Sequence, residues 1–330
     1  MTDRGPVVGF ERKEAVLIIN PAAHNIPALK RRREAEDWLR ESGWHFRWEQ
    51  TTGRGEATAI AARAAREGVP LVLACGGDGT LNEAANGLAG TETALGMLPA
   101  GTSNIWAREA GISRKPLEAA RLMTTGERRL IDLGKAGDRY FVLFAGIGMD
   151  AQVTQDVPLG LKQRIGAAAY VMTGLREAVR WRSRPVTVRL DGVAHQLDML
   201  QAIVSNTRIY GGVTRITPRA IVNDGLLDVC VYQGHGTPDI LLRVAQTFVQ
   251  AHRKPSRTLF KRARKIEFDW DEPMPMQLDG DHMGPCPREI DVAPAALWVV
   301  VPAGLRTGLF AGPERRPREA APTLPQPQTG

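Results

Sequence analysis

Residues Leu71-Val72-Leu73-Ala74-Cys75-Gly76-Gly77-Asp78-Gly79-Thr80-Leu81-Asn82-Glu83 decide the fold. An apolar run of strand length ends in three glycines and an aspartate, then passes straight into a helical pattern. Glycines let backbone N–H groups approach phosphate oxygens closely and adopt positive φ. A helix opening near Thr80 adds unpaired N–H groups and the positive end of its dipole. An aspartate in such a loop repels bare phosphate, so Asp78 points to a bound Mg²⁺ or a contact to ribose or water.

A second loop of the same kind follows at once. Ala94-Leu95-Gly96-Met97-Leu98 reads as a short buried strand, and Pro99-Ala100-Gly101-Thr102-Ser103-Asn104 as a turn opening another helix, with Thr102 or Ser103 as N-cap. Two phosphate-type loops at the C-terminal ends of neighbouring strands mark the edge of an open α/β sheet where ligands sit. Neither loop carries the Gly-Lys-Ser/Thr of a Walker A motif, so phosphates are held without a P-loop lysine.

Working outward, residues 15–133 alternate strands and helices: Ala15–Ile19, a helix over 28–41, Phe46–Gln50, a helix over 57–67, then Leu71–Cys75 and the cradle helix. That alternation predicts a parallel sheet covered by helices. From about Leu130 the pattern turns to strands, at 140–144, 186–190, 199–204, 227–232, 265–270 and 297–301, interrupted by one helix over 161–180. The expected organisation is an α/β domain over 1–133, an antiparallel β-sandwich over 134–305 whose last strand can return to the first domain, and a proline-rich tail over 306–330 expected to be disordered.

Composition sets bounds without choosing a reaction. The chain has 330 residues, enough for two cores, and a net charge of +7, which suits anionic membranes, phosphate-bearing ligands or nucleic acid alike. Cys75, Cys230 and Cys286 are too widely spaced for a redox or zinc motif. No apolar signal region opens the chain and no stretch approaches the length of a membrane span, which predicts a cytoplasmic protein. Gly146-Ile147-Gly148-Met149-Asp150-Ala151 fits the dinucleotide fingerprint, but the strand and acidic residue that must follow are missing.

Taken in order, these motifs resemble the diacylglycerol kinase catalytic-domain family, in its soluble bacterial lipid-kinase branch related to sphingosine and ceramide kinases. The resemblance covers about 15–305 and rests on Asn20-Pro21, Thr51 before Gly55-Glu56-Ala57, Gly76-Gly77-Asp78-Gly79-Thr80 with Asn82-Glu83, Pro99 to Asn104, Gly146 to Ala151, Asn223 to Val229, and Leu278-Asp279-Gly280-Asp281. It implies an N-terminal NAD-kinase-like, Rossmann-like α/β domain, a C-terminal antiparallel β-sandwich domain and an active site in the cleft between them. It also implies ATP and Mg²⁺ as cofactors. ATP would be held by Asn20, Pro21, Thr51, Gly76, Gly77, Asp78, Gly79, Thr80, Asn82, Gly101, Thr102 and Asn104. Gly146, Gly148 and Asp150 would line the lipid headgroup site, although a turn aspartate capping the next helix is the alternative for Asp150. Ile221, Asp224 and Leu226 match the family's structural Mg²⁺ ligands; an Asp-Gly turn is the alternative there.

Phosphoryl transfer is positioning and charge neutralisation, plus a carboxylate to take the acceptor's proton. The resemblance puts Asp281 in that role, with Asp279 sharing it or binding metal and Asp78 at the phosphates. The family has glutamate at position 281, and a plain Asp-Gly hairpin is the local alternative. The chain also departs from the family at His24-Asn25, where a glycine is usual, and at Asn223. Basic stretches at 176–184 and 253–265 suit contact with the inner face of an anionic membrane, where a lipid substrate is met; a solvated charged face is the alternative. A homo-oligomer is compatible with the sequence, and no nucleic-acid module is present. The expected activity is transfer of the γ-phosphate of ATP to a lipid hydroxyl. An NAD-kinase-like phosphotransferase and a nucleotide- or lipid-binding protein that has lost catalysis are the alternatives.

Overall fold

The structure is a computed structural model that describes residues 7–21, 32–156, 181–212, 214–234, 239, 258–305 and 307–311. Its first half runs β1 (Val7–Val8), β2 (Glu14–Ile19), α1 (Arg32–Glu41), β3 (His45–Gln50), α2 (Glu56–Arg66), β4 (Leu71–Gly76), α3 (Asp78–Leu88), β5 (Ala94–Pro99), α4 (Ile105–Glu109) and α5 (Pro116–Thr125). The first turn of the helix expected over 28–41 lies outside the described residues, as does the His24-Asn25 pair.

Strands β3, β2, β4 and β5 pair in that order, all parallel. Every residue of β4 and β5 is buried, as a strand covered by helices on both faces requires. The chain steps from β2 outward to β3, then crosses back to β4, so the order reverses between β2 and β4. The loops after those two strands, at Asn20 and at Gly76-Gly77, therefore flank the switch-point crevice where ligands bind in such sheets. Helices α2 and α3 cross tightly over this sheet. A Cβ on Gly87 would lie 2.3 Å from the Thr58 carbonyl oxygen, so only glycine permits that crossing.

The second half is built from β6 (Glu127–Ala136), β7 (Arg139–Phe141), β8 (Phe144–Gly148), the short α6 (Met149–Asp156), β9 (Arg184–Leu190), β10 (Val193–Ser205), β11 (Ile209–Tyr210), β12 (Thr214–Arg215), β13 (Leu227–Gln233), β14 (Thr258–Ala263), β15 (Lys265–Asp269), β16 (Pro275–Leu278), β17 (Asp281–Pro285) and β18 (Glu289–Val301). Antiparallel pairs join β17-β16-β8-β10-β9-β15-β18 in one path, and β13 pairs β10 and β14. Alternate residues of β9 and β15, such as Val186, Val188, Ile266 and Phe268, point into a second core shared with Ile147, Met199, Val229 and Val231. The molecule is thus an α/β lobe joined to a β-sandwich lobe. The single strand expected over 140–144 is instead two, because the chain turns at Val142-Leu143 to grip a carboxylate described below. The expected helix over 161–180 lies outside the described residues.

Strand β18 links the lobes. Its first half pairs with β15 and β6, and its second half with β6 and, in parallel at Val299, with β5. Between them the register shifts at a bulge where Ala295 has φ 49°. Buried Asp132 pins this bulge, accepting the Ala295 N–H at 2.7 Å and the Gly225 N–H at 2.6 Å. Burial pushes its carboxyl up to about 6 despite those bonds. The tail departs from its expected disorder at its start: Leu309 and Phe310 are buried, Val222 N–H reaches the Leu309 carbonyl at 2.9 Å, and residues 312–330 lie outside the described ones.

Candidate functional site

Strand β4 ends at Gly76 and helix α3 begins at Asp78, two residues earlier than expected, with Gly77 extended between them. The first helical bond runs from Leu81 N–H to the Gly77 carbonyl at 3.1 Å, so the N–H groups of Asp78, Gly79 and Thr80 open the helix without intrahelical acceptors. The loop after β5 lies directly against this turn. Ala100 and Gly101 N–H donate to the Gly76 carbonyl at 2.8 and 3.2 Å, and a Cβ on Gly101 would stand 2.5 Å from Gly77 Cα. The two glycine loops form one surface because neither carries a side chain.

Asn104 shapes the second loop. Fully buried with φ 45°, it accepts the Gly101 N–H at 3.0 Å and donates to the Gly101 carbonyl at 2.8 Å. Thr102 and Ser103 are exposed at the loop tip and cap nothing. The expected hydroxyl cap is replaced by Asp78, whose Oδ2 and Oδ1 accept the N–H groups of Ile105 at 2.9 Å and Trp106 at 3.1 Å. Burial pushes the Asp78 carboxyl up, and those two N–H groups oppose the shift. Its geometry is that of a brace between the loops.

The remaining nucleotide-side residues sit along the same edge. Asn20 N–H donates to the Cys75 carbonyl at 3.3 Å and its Nδ2 to Thr80 Oγ1 at 3.3 Å, with Pro21 exposed beyond it. Thr51 is buried and donates to the Ile19 carbonyl from both its N–H, at 2.9 Å, and its hydroxyl, at 3.3 Å. Glu83 faces away, accepting the Ala57 N–H at 3.2 Å to cap α2.

The sandwich lobe reaches this edge through the hairpin between β16 and β17. Asp279, at its tip with φ 51°, accepts four donors: Leu143 N–H at 3.0 Å and Phe144 N–H at 2.8 Å on Oδ1, Val142 N–H at 2.9 Å and Asn82 Nδ2 at 2.5 Å on Oδ2. Burial pushes its carboxyl up to about 7 against the lowering effect of those donors. Asp279 is thereby a mooring between cradle helix and hairpin, with no oxygen turned to a substrate. Asn86, one turn on from Asn82, adds a second mooring through reciprocal bonds of 2.9 Å to the Tyr140 N–H and carbonyl. Asp281 is left half-exposed, 3.4 Å from the Arg54 guanidinium on the loop after β3. Asn86 and Arg54 were not anticipated from sequence, since an Asn on a helix and an Arg in a loop carry no local signature.

Asp150 stands beside the same hairpin. Its bonds come not from the helix it opens but from Gln277 Nε2 at 2.8 Å and the Tyr210 hydroxyl. Burial pushes its carboxyl up. A Cβ on Gly146 would lie 1.9 Å from Asp150 Oδ2, so this glycine makes room for the carboxylate, whereas Gly148, with φ 99°, lies against the Leu200 carbonyl of β10. Because β8 pairs antiparallel with β10 and β16, the dinucleotide-like spacing at 146–151 does not open a Rossmann unit.

The residues expected to hold a structural cation are differently engaged. The Asp224 carboxylate is ion-paired with the Arg262 guanidinium from β14, which also approaches Asp228 at 3.6 Å, and Leu226 N–H turns back onto Asp224 Oδ1 at 3.2 Å. No group of three or more His, Cys, Asp or Glu side chains able to hold a metal occurs among the described residues. A carboxylate already neutralised by an arginine of the chain does not fit a divalent ion. Chelation is therefore expected to leave the nucleotide-free protein's melting temperature unchanged. Arg262→Ala strands a buried carboxylate and is expected to cost about 1–3 kcal/mol, with Mg²⁺ restoring part of it, read by thermal melts with and without EDTA. A wild-type melt that drops on EDTA removes this assignment.

Comparison with known proteins agrees with both lobes. Residues 14–136 match the diacylglycerol kinase catalytic domain, and residues 144–301 match the YegS C-terminal NAD kinase beta sandwich-like domain. The chain is 30% identical to a diacylglycerol kinase of Bacillus subtilis, over 88% of this chain and 97% of that one. It is 36% identical to a "probable lipid kinase YegS-like" protein of Pseudomonas putida, over 82% and 90%. A crystal structure of a diacylglycerol kinase from Bacillus anthracis superposes with a TM-score of 0.67 at 21% identity, covering 88% of this chain and 98% of that one, a likeness of fold.

Proposed function

The chain belongs to the diacylglycerol kinase catalytic-domain family, and from that premise we infer that it transfers the γ-phosphate of ATP to a hydroxyl of a membrane lipid. One observation supports the reading: a half-exposed carboxylate of the sandwich lobe, Asp281, lies 3.4 Å from Arg54 on the loop after β3, two residues from the Asp279 that is bonded to Asn82 of the cradle helix. A phosphate-binding edge with no facing carboxylate would bind a nucleotide; a facing carboxylate can take a proton from an acceptor.

In this mechanism the N–H groups of Asp78, Gly79 and Thr80 and the loop at Gly101 receive the phosphates, with the α3 dipole favouring their charge. Mg²⁺ carried by the nucleotide would supply the charge neutralisation that a lysine gives elsewhere. Asp281 takes the acceptor's proton onto a carboxylate oxygen. Asp150 accepts a headgroup hydroxyl, and Asp279 and Asp78 hold the two lobes and the two loops in register without touching the reacting atoms. The substrate meets the protein at an anionic membrane surface. Among the described parts of the two basic stretches, Arg182, Lys261 and Arg264 are exposed, whereas Arg184, Arg262 and Lys265 are ion-paired with Glu272, Asp224 and Glu289. No helix among the described residues is long and apolar enough to cross a membrane.

The test is transfer of label from γ-labelled ATP with Mg²⁺ to a lipid extract in mixed micelles, with NAD run in parallel. Labelled product in the organic phase is the expected result and names the acceptor. Label on NAD moves the protein to dinucleotide phosphorylation. Absence of label in both, with ATP binding intact, identifies a binding protein.

A further inference from the structure

Helix α4 ends on Glu109, and a carboxylate at a helix C-terminus opposes the dipole. Helix stability gives no reason for it, yet the side chain is 1% exposed. Its reason lies in the other lobe. Glu109 Oε1 accepts the Arg208 and Ile209 N–H groups at 2.8 and 2.7 Å, and Oε2 accepts Arg208 Nε and Nη2 at 2.9 and 2.7 Å. Four charge-assisted bonds fix the backbone of 208–209 on the end of α4. The next residue, Tyr210, bonds Asp150 through its hydroxyl and packs on Phe144 at 4.6 Å between ring centroids. Asp150 in turn holds Gln277 Nε2, and Gln277 Oε1 accepts the Gly280 N–H at 2.7 Å, one residue before Asp281. The other end of α4 is held by Asp78 of the phosphate cradle.

We infer that Glu109 is a positioning residue that ties the phosphate cradle to the acceptor side of the cleft, through α4, the 208–210 backbone, Tyr210, Asp150 and Gln277 to the Asp281 hairpin. Every link is a hydrogen bond or a short rigid element, and α4 is anchored by Trp106, which is 1% exposed. A shift of the second phosphate loop is thereby passed to the headgroup carboxylate and the proton acceptor together. The catalytic meaning of this relay rests on the lipid-kinase reading; its mechanical meaning does not.

Glu109→Gln and Tyr210→Phe each keep their shape and each break one link. Each is expected to lower kcat toward the lipid acceptor by about 10-fold to 100-fold, the range for misplacement on an ångström scale, with KM for ATP within about twofold of wild type. The double variant is expected to be no slower than the worse single one, because both cut one path. Arg208→Lys, which cannot make the paired bonds, does not substitute for wild type. A structural brace predicts otherwise: the effects add, and nucleotide and lipid steps weaken alike, which overturns the relay. Hydrogen exchange decides independently of any acceptor. In Glu109→Gln, faster exchange is expected at 208–212 and also across 149–156, the helix that carries Asp150. Loosening confined to 208–212 overturns the relay even if lipid phosphorylation is found. If no acceptor is phosphorylated by wild type, the functional reading fails while the exchange result still judges the relay.

Discussion

Asp281→Asn is expected to lower kcat for phosphoryl transfer about 10²- to 10⁴-fold while ATP affinity and melting temperature stay near those of wild type. Asparagine has the same shape, and the side chain is about half exposed (47%), so the exchange leaves no buried charge unpaired and opens no cavity. What it removes is the ability to accept a proton. Asp279→Asn, two residues away, separates the two carboxylates: it loses acceptors for the N–H groups of residues 142–144, so stability falls together with activity. Asp281→Glu restores the residue type the family uses and is expected to keep activity within about tenfold, since the carboxylate remains on a half-exposed hairpin free to adjust. Single-turnover rates with purified variants give these numbers. If Asp281→Asn keeps more than half the wild-type rate, the base lies elsewhere.

The second large effect is at the glycines of the cradle. Gly101→Ala places a methyl carbon 2.5 Å from Gly77 Cα and 2.9 Å from Asn104 Oδ1, against backbone that cannot yield without parting the loops. An overpacking cost of about 1–3 kcal/mol is expected, with loss of ATP binding of about 30-fold or more because the second loop is pushed off the turn that opens α3. Gly79→Ala is the informative partner. A Cβ there meets nothing within 4 Å, and the position is helical, so the melting temperature is expected to hold or rise slightly. ATP affinity is nonetheless expected to fall, because the proposed phosphate site places phosphate oxygens in the open space beside Gly79 at the helix N-terminus. Calorimetric titration with ATP beside thermal melts reads both. Unchanged ATP affinity in Gly79→Ala would place the phosphates away from this helix.

Local sequence determined most of the α/β half, though β1 and α5 were not read from it. An apolar run closed by glycines, then a helical period, is strand, turn and helix by backbone physics alone, and β4 and α3 follow it to within two residues. Asp279 and Asp281 read locally as acids of a hairpin turn, and Asp150 as an acid after a glycine turn; the family resemblance made them site candidates. Their division of labour was not legible. One hairpin presents one carboxylate to three N–H groups of a distant turn and leaves the other half-exposed beside Arg54, and only the meeting of β8, β16 and α3 decides which. The same reason explains why Asp78 turned out to brace α4, why Arg262 came to sit on Asp224, and why Glu109, Tyr210 and Gln277 gave no signal beforehand. Hydrophobic periodicity, glycine placement and charge are properties of neighbours along the chain. A hydrogen bond between residues far apart in the chain is set by how elements pack, within a lobe or between the two, and that was decided by the tertiary structure alone.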